Sequence, residues 1–118
     1  MKTFERDGKI NFVDDANVLV GFDNESCCCE QFGHFFSWKF PAKIDDVKEE
    51  IDADGFNFDR EFFKEVSGDD FDCGGMAVFR LTKGDEEIFL SLFNAHNGYY
   101  SHGFRVTVGG ITIREGSL

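Results

Sequence analysis

Apolar residues along this chain recur first at every second position, then at helical spacing, then again at every second position. Residues 9–13 alternate (Lys9, Ile10, Asn11, Phe12, Val13) and read as a strand. Asp14, Asp15, Ala16 and Asn17 supply a turn, and 18–22 is the returning strand. Within 27–40, Phe32, His34, Phe36, Trp38 and Phe40 fall on alternate positions, the period of one strand face, until Pro41 stops it.

The period then changes. Ile44, Val47 and Ile51 stand at i, i+3 and i+7, one stripe of a short helix over 43–51 that Asp54-Gly55 breaks. Asp59 is placed to cap a second short helix over 60–66, burying Phe62, Phe63 and Val66. Residues 67–75 are polar and loop-like. Strands follow at 76–82 and 86–94 around Lys83-Gly84-Asp85, the second of them apolar on both faces and therefore expected at the centre of a sheet. Segments 104–108 and 111–114 form a last hairpin on Gly109-Gly110. The expected fold is one α+β domain over 1–118, a mainly antiparallel sheet with two short helices inserted mid-chain on one face.

Composition sharpens this. Sixteen Phe stand against two Tyr and one Trp, so the core is expected to be built from rings that need no buried hydrogen-bond partner. Net charge is −11, with twelve of the 23 acids between Asp45 and Asp72. Such a field repels phosphate backbones and anionic membranes; it fits a solubilising surface or a patch that mates with a basic partner surface. Nucleic acid is thus not an expected ligand. The first residues are charged and carry no apolar signal segment, and no apolar run approaches the ~20 residues of a membrane span. Cys27, Cys28, Cys29 and Cys73 make a poor disulfide framework, so reduced thiols in a cytoplasm are expected. No oligomeric state follows.

Three stretches carry candidate chemistry. Cys27 and Cys29, with Cys73 and the histidines, are zinc-ligand types, but no C-x-x-C occurs and neighbouring strand residues diverge. Packed structural thiols are the alternative, as a core histidine is for His34 on its aromatic stripe. Residues 50–61 resemble an EF-hand loop: Asp52 and Asp54 at ligand positions three and five, Gly55 at the turn and Glu61 at position twelve. Glu50 stands where Asp is usual, Asn57 where an apolar residue is usual, and the alternative is an acidic helix–turn–helix. Finally, 94–104 gathers both tyrosines and two of three histidines, with His96, Asn97, Tyr99, Tyr100 and His102 as binding candidates beside Glu30. The alternative there is a turn whose tyrosines pack over a sheet edge. Ser101 and His102 are adjacent and no orienting carboxylate is identifiable, so no catalytic set assembles.

Cys28-Cys29-Glu30, followed much later by Asn97-Gly98-Tyr99-Tyr100-Ser101, resembles a family of small phage and bacterial proteins of unknown function with a DCCE stretch and an SNGYYS-like motif. Here Cys27 replaces the Asp before Cys28, and Ala95-His96 replaces the usual residues before Asn97. The resemblance implies an α+β fold and a link to phages or mobile elements; it supplies no activity and no cofactor. The sequence therefore points to a non-enzymatic acidic binding protein, with a phage or prophage accessory factor that engages a host protein as the expected role. The alternative is a metal- or small-ligand-binding domain using 27–30 or 96–102.

Overall fold

A computed structural model describes residues 2–6, 8–23, 32–40, 51–67, 75–94 and 103–117. These contain nine strands and no helix: β1 (Lys2–Arg6), β2 (Lys9–Val13), β3 (Val18–Asp23), β4 (Phe32–Ser37), β5 (Asn57–Ser67), β6 (Gly75–Lys83), β7 (Glu86–Asn94), β8 (Gly103–Val108) and β9 (Ile111–Ser117). They form two wholly antiparallel sheets, five-stranded in the order β1-β2-β3-β8-β9 and four-stranded in the order β4-β7-β6-β5. One face of each sheet meets the other. Ile10, Phe12, Val18, Val20, Phe22, Phe104 and Val106 from the first pack against Phe58, Ala77, Phe79, Leu81, Ile88, Leu90 and Leu92 from the second. This is a β-sandwich, and the expected α+β architecture is incorrect.

The second expected helix is where the reading fails most clearly, because 60–66 lies inside β5. Consecutive residues of a strand point to opposite faces, and Phe62 and Phe63 use both. Phe63 enters the core between the sheets, 5.4 Å from Phe79 and 5.7 Å from Phe104 by ring centroid. Phe62 joins a second cluster on the far face of the four-stranded sheet, with Phe35, Phe40, Met76, Val78, Phe89 and Phe93. On a helix the two rings would share one stripe; here each faces a separate core. The first expected helix lies outside the described residues except for Ile51, which has no regular structure and packs against the main core.

Elsewhere the alternation gives the observed strands. β2 covers the expected range, and β7 is central, with Ile88, Leu90 and Leu92 turned to one core and Phe89 and Phe93 to the other. Gly109 and Gly110 both take positive φ (57° and 85°), the demand of a two-residue turn that matches strand twist. β4 is shorter than its stripe: Phe36 and His34 face Phe12, but the chain bends at 38–40. That bend leaves Trp38 52% exposed and turns Phe40 into the second cluster. β1, its five residues all exposed, is an edge strand that the pattern did not announce.

Candidate functional site

The two ends of the sandwich are built differently. At one, the β2–β3 turn is latched to the opposite sheet by Asp14, a carboxylate only 6% exposed. Its Oδ1 accepts hydrogen bonds from the backbone N–H of Ala16 and Val18, both at 2.9 Å. Its Oδ2 accepts one at 2.8 Å from Phe58 N–H, 44 residues along the chain. Beside it, Asp15 N–H donates to Asn57 Oδ1 at 3.2 Å, and Gly109 N–H donates to the carbonyl of Asn17. In sequence Asp14 looks like any turn residue; its reach across the sandwich has no local signal.

The other end is where chain crossings concentrate. Across the four-stranded sheet, Phe32, Asn94, Gly75 and Ser67 lie in one row by register; in the five-stranded sheet, Lys9 pairs with Asp23 and Gly103 with Ser117. The sheets meet at this end, since a Cβ on Gly116 would stand 3.6 Å from Glu65 Oε1. The chain leaves here at Asp23, Ser67 and Asn94 and returns at Phe32, Gly75 and Gly103. Residues 24–31, 68–74 and 95–102 are therefore all tethered to one end. They carry all four cysteines and also Glu30, His96, Asn97, Tyr99, Tyr100 and His102, whose side chains lie outside the described residues. Nearby, Lys9, Gly103, Phe104, Arg105, Glu115 and Gly116 line a hollow of about 350 Å³.

Of the calcium-loop candidates, Asp52, Asp54 and Glu61 are described and form no group able to hold a metal ion, while Glu50 lies outside the described residues. Asp52 Oδ1 accepts from Asp54 N–H at 3.0 Å and Gly55 turns the chain at φ 81°, but a strand follows where a helix should. Glu61 sits exposed within that strand, its N–H bonded to Asp59 Oδ1 at 3.0 Å. Among the described residues, no three His, Cys, Asp or Glu side chains gather closely enough to hold a metal ion. His34 stands edge-on to Phe12 at 4.9 Å, and burial pushes its pKa below the usual imidazole value. Among the described residues, no helix is long and apolar enough to cross a membrane.

Two side chains stand out that the sequence did not single out for function. Arg80 binds Asp59 through Nε (3.0 Å) and Nη2, lies 5.3 Å from the Phe62 ring centroid, and has Nη1 3.8 Å from Glu87. That hydrogen bond, helped by Glu61 N–H, holds the Asp59 carboxyl below the usual range. Trp38 is the chain's single tryptophan and is half exposed, which its scarcity among sixteen Phe could have flagged. No family model, no curated protein and no solved structure matches this chain.

Proposed function

We propose that this is a non-enzymatic binding protein that engages a protein partner through the segments tethered at one end of the sandwich. The observation that carries the reading is topological: three connections leave and re-enter the two sheets at the same end. Connections anchored on a rigid double sheet are a common way to present recognition residues. The 94–103 stretch consists of Asn, Ala, His, Gly, Tyr and Ser, close to the mixture that binding loops favour, because Tyr offers contact area at low entropy cost. Glu30, His96, Asn97, Tyr99, Tyr100 and His102 are the proposed contacts. The net charge of −11 favours a partner with a basic surface. A phage or prophage accessory role, engaging a host protein, rests on the resemblance of 28–30 and 97–101, and a cytoplasmic location on the reading of the four cysteines as reduced thiols.

The same topology gives standing to a second reading, a metal or small-ligand site drawing on Cys27, Cys29, His96 and His102. Elemental analysis of purified protein separates the two, since stoichiometric zinc would favour the second. The binding reading itself is tested by Tyr99→Ala and Tyr100→Ala. Both variants are expected to melt close to the parent, and unfolding of either at room temperature would remove that tyrosine from the proposed surface.

A further inference from the structure

We propose that the hollow between Lys9 and Arg105, on the outer face of the five-stranded sheet, docks an acidic peptide segment of a partner protein. The argument begins with which residues share that face. Ile10, Phe12, Val18, Val20, Phe22, Phe104 and Val106 point inward, so their strand neighbours point out. The registers then place Arg6, Lys9, Asp23 and Gly103 in one outward row and Phe4, Asn11, Gly21, Arg105 and Glu115 in the next, with Lys2 in a third. Among the described residues of this face, four cations (Lys2, Arg6, Lys9, Arg105) meet two acids (Asp23, Glu115), a net +2 on a chain whose total is −11.

Packed sheets stand about 10 Å apart, roughly one screening length at physiological salt, so an anion approaching this face responds chiefly to its own charges. Arg105 Nε lies 3.4 Å from Glu115 Oε2, and both side chains remain more than half exposed, so the guanidinium is steadied without being covered. An incoming carboxylate can accept from the Lys9 ammonium and from the guanidinium N–H groups that Glu115 does not use.

Gly103 supplies an independent indication. Gly21 and Gly116 have packing reasons to be glycine, because a Cβ would lie 2.9 Å from Asn11 Oδ1 and 2.9 Å from the Phe104 ring respectively. At Gly103 the nearest atom to an added Cβ is the Gly116 carbonyl oxygen at 3.7 Å, an ordinary contact, and its φ is not in the left-handed region. Among the described residues Gly103 thus meets neither a steric nor a conformational need, and a strand glycine of that kind often marks a place where another backbone or a ligand comes close. It lines the same hollow as Lys9 and Arg105.

The probe is a fluorescein-labelled tetraglutamate peptide, titrated by anisotropy against the full chain. Binding is expected at about 0.15 M salt, where the rest of the chain's charge is screened, and should weaken as salt is raised further. The Lys9→Gln/Arg105→Gln double variant should weaken it at least about tenfold, the effect of losing one charge-assisted contact. Gly103→Val should also abolish binding while melting at or above the parent temperature; Gly103→Ala serves if the valine variant fails to fold. Lys64→Gln, on the other sheet, should change nothing. The proposal is overturned by absence of binding, by equal loss in Lys64→Gln, or by retained binding when position 103 is filled. A short DNA duplex bound equally well, with the same variant sensitivity, would also overturn it in favour of an unselective anion site. Tyr99→Ala and Tyr100→Ala leave this assay unchanged, so its failure and that of the loop reading are distinguishable.

Discussion

Cutting Asp14 back to alanine strands three backbone donors, one of them the buried N–H of Phe58. Hydrogen bonds to a charged acceptor contribute about 1.5–3 kcal/mol each and are not additive here, so Asp14→Ala is expected to cost roughly 2–4 kcal/mol. Thermal unfolding should show a drop of about 8 °C or more; a shift within a degree or two would mean that Asp14 does not latch the sheets. His34 makes a pH prediction of definite sign. Burial lowers its pKa in the folded state below the unfolded value of about 6.5, so the unfolded chain takes up a proton first. The contribution is fully present above pH ~6.5 and is lost as pH falls through the folded pKa. Chemical denaturation between about pH 7 and 5 should show stability falling for the parent and a flatter profile for His34→Leu, and identical slopes would discount it. The half-buried place of His34 against Phe12 was legible from its aromatic stripe, whereas the reach of Asp14 was not, because its decisive partner is 44 residues away.

β5 carries the lesson at the scale of elements. It pairs with β6 at Asn57–Phe58 and again from Phe63 onward, leaving four residues, 59–62, opposite Arg80 alone. That irregularity is what imitated a helix, since it packs charges and two adjacent rings into a short span with a capping-type Asp at its head. Arg80 holds the bulge from the neighbouring strand by Asp59 on one side and the Phe62 ring on the other. With a side chain 36% exposed, its worth is that of a partly solvated pair, about 1 kcal/mol. Arg80→Lys should lose most of that, because an ammonium cannot present two N–H donors to Asp59 while lying flat on a ring. Urea unfolding of Arg80→Lys and Arg80→Ala should give nearly equal losses; full rescue by lysine would show that charge alone suffices. The hairpins were legible because each writes its turn in place: Lys83-Gly84-Asp85, and Gly109-Gly110 with both φ positive.

For the whole molecule, the tyrosine variants discriminate by size of effect. Exposed side chains away from cores and caps alter stability by about 0.5 kcal/mol or less, whereas a ring packed beneath a sheet costs about 3 kcal/mol or more when truncated. The two outcomes differ by well over 10 °C in melting temperature, at roughly 4–8 °C per kcal/mol for a small domain. By itself the sequence determined the alternation of most strands, three hairpin turns, a phenylalanine core and an acidic surface. These are properties of neighbouring residues and of sums. Tertiary structure alone decided that the strands divide between two sheets and that Phe62 and Phe63 serve different cores. It also decided that Asp14 joins the sheets and that the strand ends flanking the cysteine-, tyrosine- and histidine-bearing segments, Asp23, Phe32, Ser67, Gly75, Asn94 and Gly103, all lie at one end. The reason is physical: period fixes which way a side chain points along its own strand, but which surface it meets depends on pairings made tens of residues away.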